Sequence, residues 1–307
     1  MQNVSIRQSS GHAGRGMVLV MLAAMLWGTV TVGVKLLYNW GETTPLTIGW
    51  LRLTVAAPAL FALAHVFTGA SPARMVIRAP FRTWGLLLVG AFTMAAYQVC
   101  LFAALTRTSA TVGAVLALCS APVFAAVLGW PLLGERPTRW VGVALVGAIL
   151  GTALLSRLTD WRDLLALDYL LGNVLALGAG LSYALYSLAA RGLVGRVNPW
   201  HIIAIVFGGG SLMLLPWVLA TGFVAIFGWG GWGVVLYLGL APTALAYIFH
   251  IFGLRTTPAS VATLLSLLEP LTATGLAFIL LGERLQGMQM AGAILLLASL
   301  GVLYWKR

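Results

Sequence analysis

The chain has 307 residues, of which 61% are hydrophobic and 8% charged, with a formal net charge of +11. About a quarter of the residues of a soluble domain are charged, so no soluble core could hide this much apolar surface, and a sizeable soluble domain is excluded. The basic residues stand singly between apolar stretches rather than on one face, which makes them topology signals and argues against nucleic acid as a partner.

A membrane-spanning helix needs roughly 20 mainly apolar residues, and cutting the chain at charged and Pro/Gly-rich breaks predicts ten such helices. The first covers Met17 to Leu37 and continues through Gly28 to Lys35 without a cleavage-site pattern. That is too long for a signal-peptide core, so it is expected to remain as a membrane helix. Pro45 to Phe67, Phe81 to Leu105, Ser109 to Leu133 and Trp140 to Ser156 complete the first five. The second five cover Tyr169 to Arg191, Pro199 to Ile226, Trp232 to Leu254, Ala259 to Leu281 and Met288 to Trp305. Cys100 and Cys119 fall inside helices without CxxC or Cys/His spacing, so neither a disulfide nor a metal site is expected, and no cofactor is implied.

Cytoplasmic segments of membrane proteins carry the excess of Lys and Arg. With the N-terminus in the cytoplasm, alternation puts twelve basic residues inside, from Arg7 and Arg15 to Lys306 and Arg307, and five outside: Lys35, Arg107, Arg157, Arg162 and Arg284. The outside segment near Arg157 also holds Asp160, Asp163 and Asp168. Both termini are therefore expected in the cytoplasm of a multi-pass protein of the cytoplasmic membrane.

The sequence repeats itself. Tyr97, Phe102, Pro122 and Gly134-Glu135-Arg136 are answered in order by Tyr247, Phe252, Pro270 and Gly282-Glu283-Arg284, with identical spacing from the proline to the triplet. Upstream, Lys35 falls opposite Arg191 and Pro45 opposite Pro199 after small register shifts. Five helices is an odd number, so tandem copies cross the membrane in opposite senses. The expected fold is an all-α integral membrane protein of ten helices in two inverted repeats. It divides into a cytoplasmic tail (1–16), a first repeat (17–157), an extracytoplasmic linker (158–168) and a second repeat (169–307). Inverted repeats are a mark of secondary transporters.

At these residues the chain resembles the drug/metabolite transporter superfamily, in particular its ten-helix EamA-type branch. The resemblance is carried by Trp27-Gly28, Arg52, Tyr97, Phe102, Ala121-Pro122 and Gly134-Glu135, and again by Tyr247, Phe252, Glu269-Pro270 and Gly282-Glu283. It covers nearly the whole chain beyond the first fifteen or so residues. Within the branch the chain is similar to exporters of amino acids and metabolites, with aromatic amino acids one substrate group that the resemblance implies. The second half presents Tyr183-Ala184 where the first has Trp27-Gly28, so the halves are not expected to contribute equally to a site.

Glu269 lies in an apolar run beside Pro270. A carboxylate at that depth has to face the bundle interior, a cavity or a partner, where it could bind a substrate amine, exchange a proton, or simply be hydrogen-bonded in packing. His250 stands one turn after Tyr247 and could carry a proton or make an interhelix contact. Arg52 reads as a structural charge. Trp27, Tyr97, Tyr183, Tyr186 and Tyr247 sit well within predicted helices rather than at their ends, and their faces suit aromatic rings or cations. Gln98, Thr29 and Ser120 are candidates for substrate hydrogen bonds or for bonds between helices. The candidate substrate-binding set is Trp27, Tyr97, Gln98, Tyr183, Tyr186, Tyr247, His250 and Glu269.

These features predict a carrier of small metabolites, amino acids foremost, that works by alternating access in a lipid bilayer. No nucleotide-binding motif is present, so the driving force is the substrate gradient, a proton or another ion. The rivals are an intramembrane enzyme acting on a lipid-like substrate, for which no HExxH or GxSxG pattern is present, and a channel or structural membrane component.

Overall fold

The computed structural model describes residues 2–158, 167–281 and 286–305. Within them, nine helices are long and apolar enough to cross a membrane, and a tenth, Arg139–Leu155, is apolar but shorter. In chain order the first to fourth cover Gly14–Trp40, Pro45–Thr68, Phe81–Leu105 and Thr111–Leu133, and Arg139–Leu155 is the fifth. The sixth to tenth cover Leu167–Val194, Pro199–Thr221, Trp229–Gly253, Ala259–Leu280 and Gly287–Trp305. The first helix starts upstream of its predicted start, at Gln2. The second Gly-Glu-Arg triplet, Asp160, Arg162, Asp163, Lys306 and Arg307 lie outside the described residues.

Local chemistry fixes many helix ends. Thr44, Ser109, Thr138 and Asn198 each accept a hydrogen bond from a backbone N–H of the turn that follows, and so begin the second, fourth, fifth and seventh helices. Gly134, the glycine of the first triplet, ends the fourth helix with φ +71°, a left-handed conformation that glycine adopts without strain.

The pairs of helices in contact form a two-fold pattern. The third and fourth pack on the sixth; the eighth and ninth pack on the first. The second touches the eighth as the seventh touches the third, and the second–seventh, fourth–ninth and fifth–tenth pairs contact each other directly. Exchanging each helix with the one five places on therefore maps the pattern onto itself. Two three-helix groups result, one of helices 3, 4 and 6 and the other of helices 1, 8 and 9.

One element departs from an all-helical reading. Residues Gly41–Thr43 (β1) and Ala225–Phe227 (β2) form a short antiparallel ladder joining the 1–2 and 7–8 connections. The seventh helix accordingly stops at Thr221, short of its predicted end at Ile226.

Candidate functional site

A cavity of about 340 Å³ lies between the two three-helix groups, a volume at the lower end of small-molecule sites. Its wall reaches Lys35, Tyr38, Pro45 and Leu105, at the ends of the first three helices, and runs inward to Trp27, Arg52, Tyr97, Tyr183, Tyr247 and Glu269. The lining is mostly apolar, with polar groups gathered at the inner part.

Three helices of the lining are irregular at this depth. The first is interrupted at Thr29, whose hydroxyl donates to the Leu26 carbonyl (2.7 Å) and accepts from the Tyr237 hydroxyl (2.8 Å). The eighth contains a π-helical stretch, Leu240–Leu245, around Pro242. The ninth is interrupted at Ser266–Leu267, between Ala259–Leu265 and Leu268–Leu281, immediately before Glu269 and Pro270. Irregular backbone at membrane depth is tolerated where it is buried in protein or lines a cavity, and π-helical turns concentrate at functional sites.

The π-helical stretch positions an arginine. The Thr243 hydroxyl donates to the Leu238 carbonyl five residues back (2.7 Å), which leaves its oxygen to accept from Arg52 Nε (3.1 Å). Arg52, read from the sequence as a structural charge, thus lines the same cavity as Glu269. The signal that could have found it is an arginine well inside an apolar helix, which has to face protein or water.

Of the predicted set, Trp27, Tyr97, Gln98, Tyr183, Tyr247 and Glu269 line the cavity. Tyr186 and His250 stand behind that wall. The Tyr186 ring centroid is 5.7 Å from that of Tyr247 and 6.0 Å from that of His250, and His250 is 5.4 Å from Trp27. Trp27 joins the two groups, with centroids 6.0 Å from Tyr183 and 4.9 Å from Tyr247. The Tyr183 hydroxyl bonds Ser266 Oγ across the groups (3.0 Å). Among the described residues Trp27 Nε1, the Tyr186 hydroxyl and both His250 ring nitrogens have no hydrogen-bond partner. Thr29 and Ser120 spend their hydroxyls on nearby groups, Ser120 donating to the Ala117 carbonyl (3.4 Å).

At the opposite end a cluster of bonds, the latch, ties the elements together. Arg191 Nε donates to Glu135 Oε1 (2.9 Å), and its Nη1 donates to the Leu254 and Arg255 carbonyls (2.8 and 3.2 Å). Glu135 Oε2 accepts from the Ala259 N–H (2.9 Å) at the start of the ninth helix, where a carboxylate is favoured. Glu135 thus pairs with Arg191 and not with its neighbour Arg136, whose guanidinium lies over the Trp130 ring, 5.3 Å from its centroid. The latch ties the group of helices 3, 4 and 6 to the connection between helices 8 and 9.

The EamA-like transporter family matches this chain twice, over residues 14–157 and 170–305. The chain belongs to the EamA-like transporter family. Among relatives, it is 33% identical to the uncharacterized transporter YwfM of Bacillus subtilis, over 93% of this chain and 92% of that one. It is 30% identical to an uncharacterized transporter of Archaeoglobus fulgidus, over 95% and 96% of the two chains. A probable terminal-alkyne amino-acid exporter of Streptantibioticus cattleyicolor is 27% identical over 69% of this chain and 70% of its own. A solved crystal structure shares the fold, with a TM-score of 0.81 over 94% of this chain and 96% of that one, at 19% identity. The protein is thus a multi-pass membrane member of a transporter family.

Proposed function

We propose that this EamA-family protein is a secondary carrier that exports small metabolites, amino acids foremost and aromatic ones among them, across the cytoplasmic membrane by alternating access. The observation that carries the reading is the central cavity, which reaches the helix ends at Lys35 and Tyr38 and is latched at the other end by Glu135 and Arg191. A carrier needs a site that opens to one side while the other is closed. The repeats, 17–157 and 169–307, joined by 158–168, exchange those states as near-equivalent halves. With residues 1–16 and the C-terminus in the cytoplasm, the latched end is the inner one and the cavity opens outward.

The substrate lies against Trp27, Tyr97, Gln98, Tyr183, Tyr247 and Glu269, with Tyr186 and His250 supporting the aromatic wall. The amino-acid class is supported by the Streptantibioticus relative, a probable terminal-alkyne amino-acid exporter, and by the pairing of ring faces with polar groups in one cavity. Glu269 is the candidate for proton coupling.

Reconstitution of the purified protein into liposomes loaded with labelled amino acids, with and without a pH gradient, tests this. Saturable flux that discriminates among the amino acids is expected. Flux without saturation would indicate a channel, and no flux of any amino acid would remove the substrate class.

A further inference from the structure

We infer that the cavity reads both charges of a zwitterion, with Arg52 taking the carboxylate of the substrate and Glu269 its ammonium group. This rests on the carrier reading above and goes beyond it: the substrate must carry the two charged groups on one carbon, as an α-amino acid does, and neither a simple amine nor a simple organic acid satisfies the site.

The argument starts from what each charge lacks. Arg52 has five N–H donors, and its one hydrogen bond to a described residue uses Nε, on Thr243. Its terminal nitrogens make no hydrogen bond to a described residue, and Arg52 lines the cavity. Glu269 lines the same cavity, and no described residue donates to its carboxylate oxygens. The two are near enough to feel each other's charge, yet no ion pair joins them. A buried charge left without a partner is costly, and these two line one small cavity without pairing, which gives that cavity one positive and one negative group for a ligand to satisfy. The Tyr97 and Tyr247 hydroxyls lie within electrostatic reach of both charges and belong to the same wall.

The local backbone supports this assignment. The π-helical stretch aims Thr243 at Nε and so directs the fork of the guanidinium, the part whose paired N–H groups match a carboxylate. Opposite, the interruption at Ser266–Leu267 sets Glu269 in the first turn of the following helical segment. A substrate held by its charges at this depth would direct its side chain towards the rings of Trp27, Tyr183 and Tyr247. Arg52 thereby becomes a specificity-determining residue, and Thr243 a positioning residue that acts through it.

The test compares three probes of one shape on the purified wild-type protein: L-phenylalanine, phenethylamine, which lacks the carboxylate, and 3-phenylpropionate, which lacks the amine. Binding is read by equilibrium displacement of labelled L-phenylalanine. The zwitterion is expected to bind about tenfold or more tightly than either analogue, because each analogue leaves one desolvated charge unpaired. The substitution Arg52→Gln should erase the advantage over phenethylamine and keep that over 3-phenylpropionate; Glu269→Gln should do the reverse. A merely structural role for either residue would weaken all three probes alike. Equal binding of the zwitterion and one analogue by the wild-type protein would overturn the inference without any variant, even if the liposome flux is saturable. Absence of saturable flux for every amino acid would instead remove the carrier reading, and this inference with it.

Discussion

The third, fourth and sixth helices run as unbroken segments through the membrane region, whereas their counterparts, the eighth, ninth and first, are each interrupted beside the cavity, at Leu240–Leu245, Ser266–Leu267 and Thr29. The contact layout of the two groups is the same. Their chemistry is not: the interrupted group supplies Glu269 and the Thr243 hydroxyl that holds Arg52, while the unbroken group supplies Tyr97, Tyr183 and Gln98. An inverted repeat needs matching frameworks for its halves to exchange states, but nothing requires matching surfaces. Here one three-helix group, drawn from both repeats, has kept regular backbone and the other has used broken backbone to place charged and polar groups.

The largest effect is expected where the two groups meet. Trp27→Ala removes the ring between Tyr183 and Tyr247, and truncating a buried tryptophan costs about 3–5 kcal/mol. A lower melting temperature in detergent and loss of saturable flux are expected. Retention of both would mean that the groups are not joined through this ring.

Next comes the latch. Hydrogen bonds to charged groups contribute about 1.5–3 kcal/mol each, so Arg191→Met should shift the equilibrium at least about tenfold towards a state open at the latched end. In a Cys100→Ser, Cys119→Ala background, the readout is labelling of Ser266→Cys by an impermeant thiol reagent applied from that side. A labelling rate equal to that of the protein with Arg191 intact would show that the latch does not keep this end closed.

Two glycines sharpen the comparison directly. A Cβ on Gly28 would come within 2.6 Å of Thr272 Cβ and 2.8 Å of the Glu269 carbonyl oxygen, and one on Gly180 within 2.7 Å of the Ala117 carbonyl oxygen. These are corresponding contacts, of the first helix on the ninth and the sixth on the fourth. Gly28→Ala and Gly180→Ala should each cost about 1–3 kcal/mol by overpacking. Gly28→Ala should in addition raise KM, because it displaces Glu269, whereas Gly180→Ala should lower the melting temperature with KM unchanged. Equal KM effects would mean that the interrupted group has no special part in binding.

A smaller effect is expected from Thr243→Val, which keeps the shape and removes the oxygen that accepts from Arg52. Hydrogen bonds to charged groups contribute about 1.5–3 kcal/mol, and with Nε able to turn to the cavity the loss should sit at the low end, so KM should rise about tenfold while stability changes less. The smallest belongs to Tyr186→Phe. The hydroxyl it removes is buried with no partner among the described residues, so KM should stay unchanged and the melting temperature should hold or rise slightly, since an unpaired buried hydroxyl costs stability.

The number and type of the helices were legible because crossing a bilayer demands long apolar runs, and the repeat was legible because its motifs keep their spacing. The interruptions were not. Hydropathy averages over a helix and does not register the backbone bonds lost at Thr29 or the extra residue accommodated between Leu238 and Thr243. The aromatic and acidic part of the candidate site could be read from residues out of place in apolar runs, such as Glu269. Arg52 was read as a structural charge because its anchor, Thr243, lies 191 positions away. Nothing local in the sequence marks the partner of Glu135, because Arg191 stands 56 positions on. Ile226 was read as helical because an apolar strand of three residues resembles the end of an apolar helix until its partner at Glu42 is known.

The central claim is that one site is presented alternately to the two sides. It is tested most directly by counterflow: proteoliposomes preloaded with unlabelled L-phenylalanine, diluted into a trace of labelled L-phenylalanine, with uptake followed against unloaded vesicles. The account predicts a transient accumulation of label that requires internal substrate and is lost in Trp27→Ala. Uptake that ignores internal substrate, with no saturation, would contradict it.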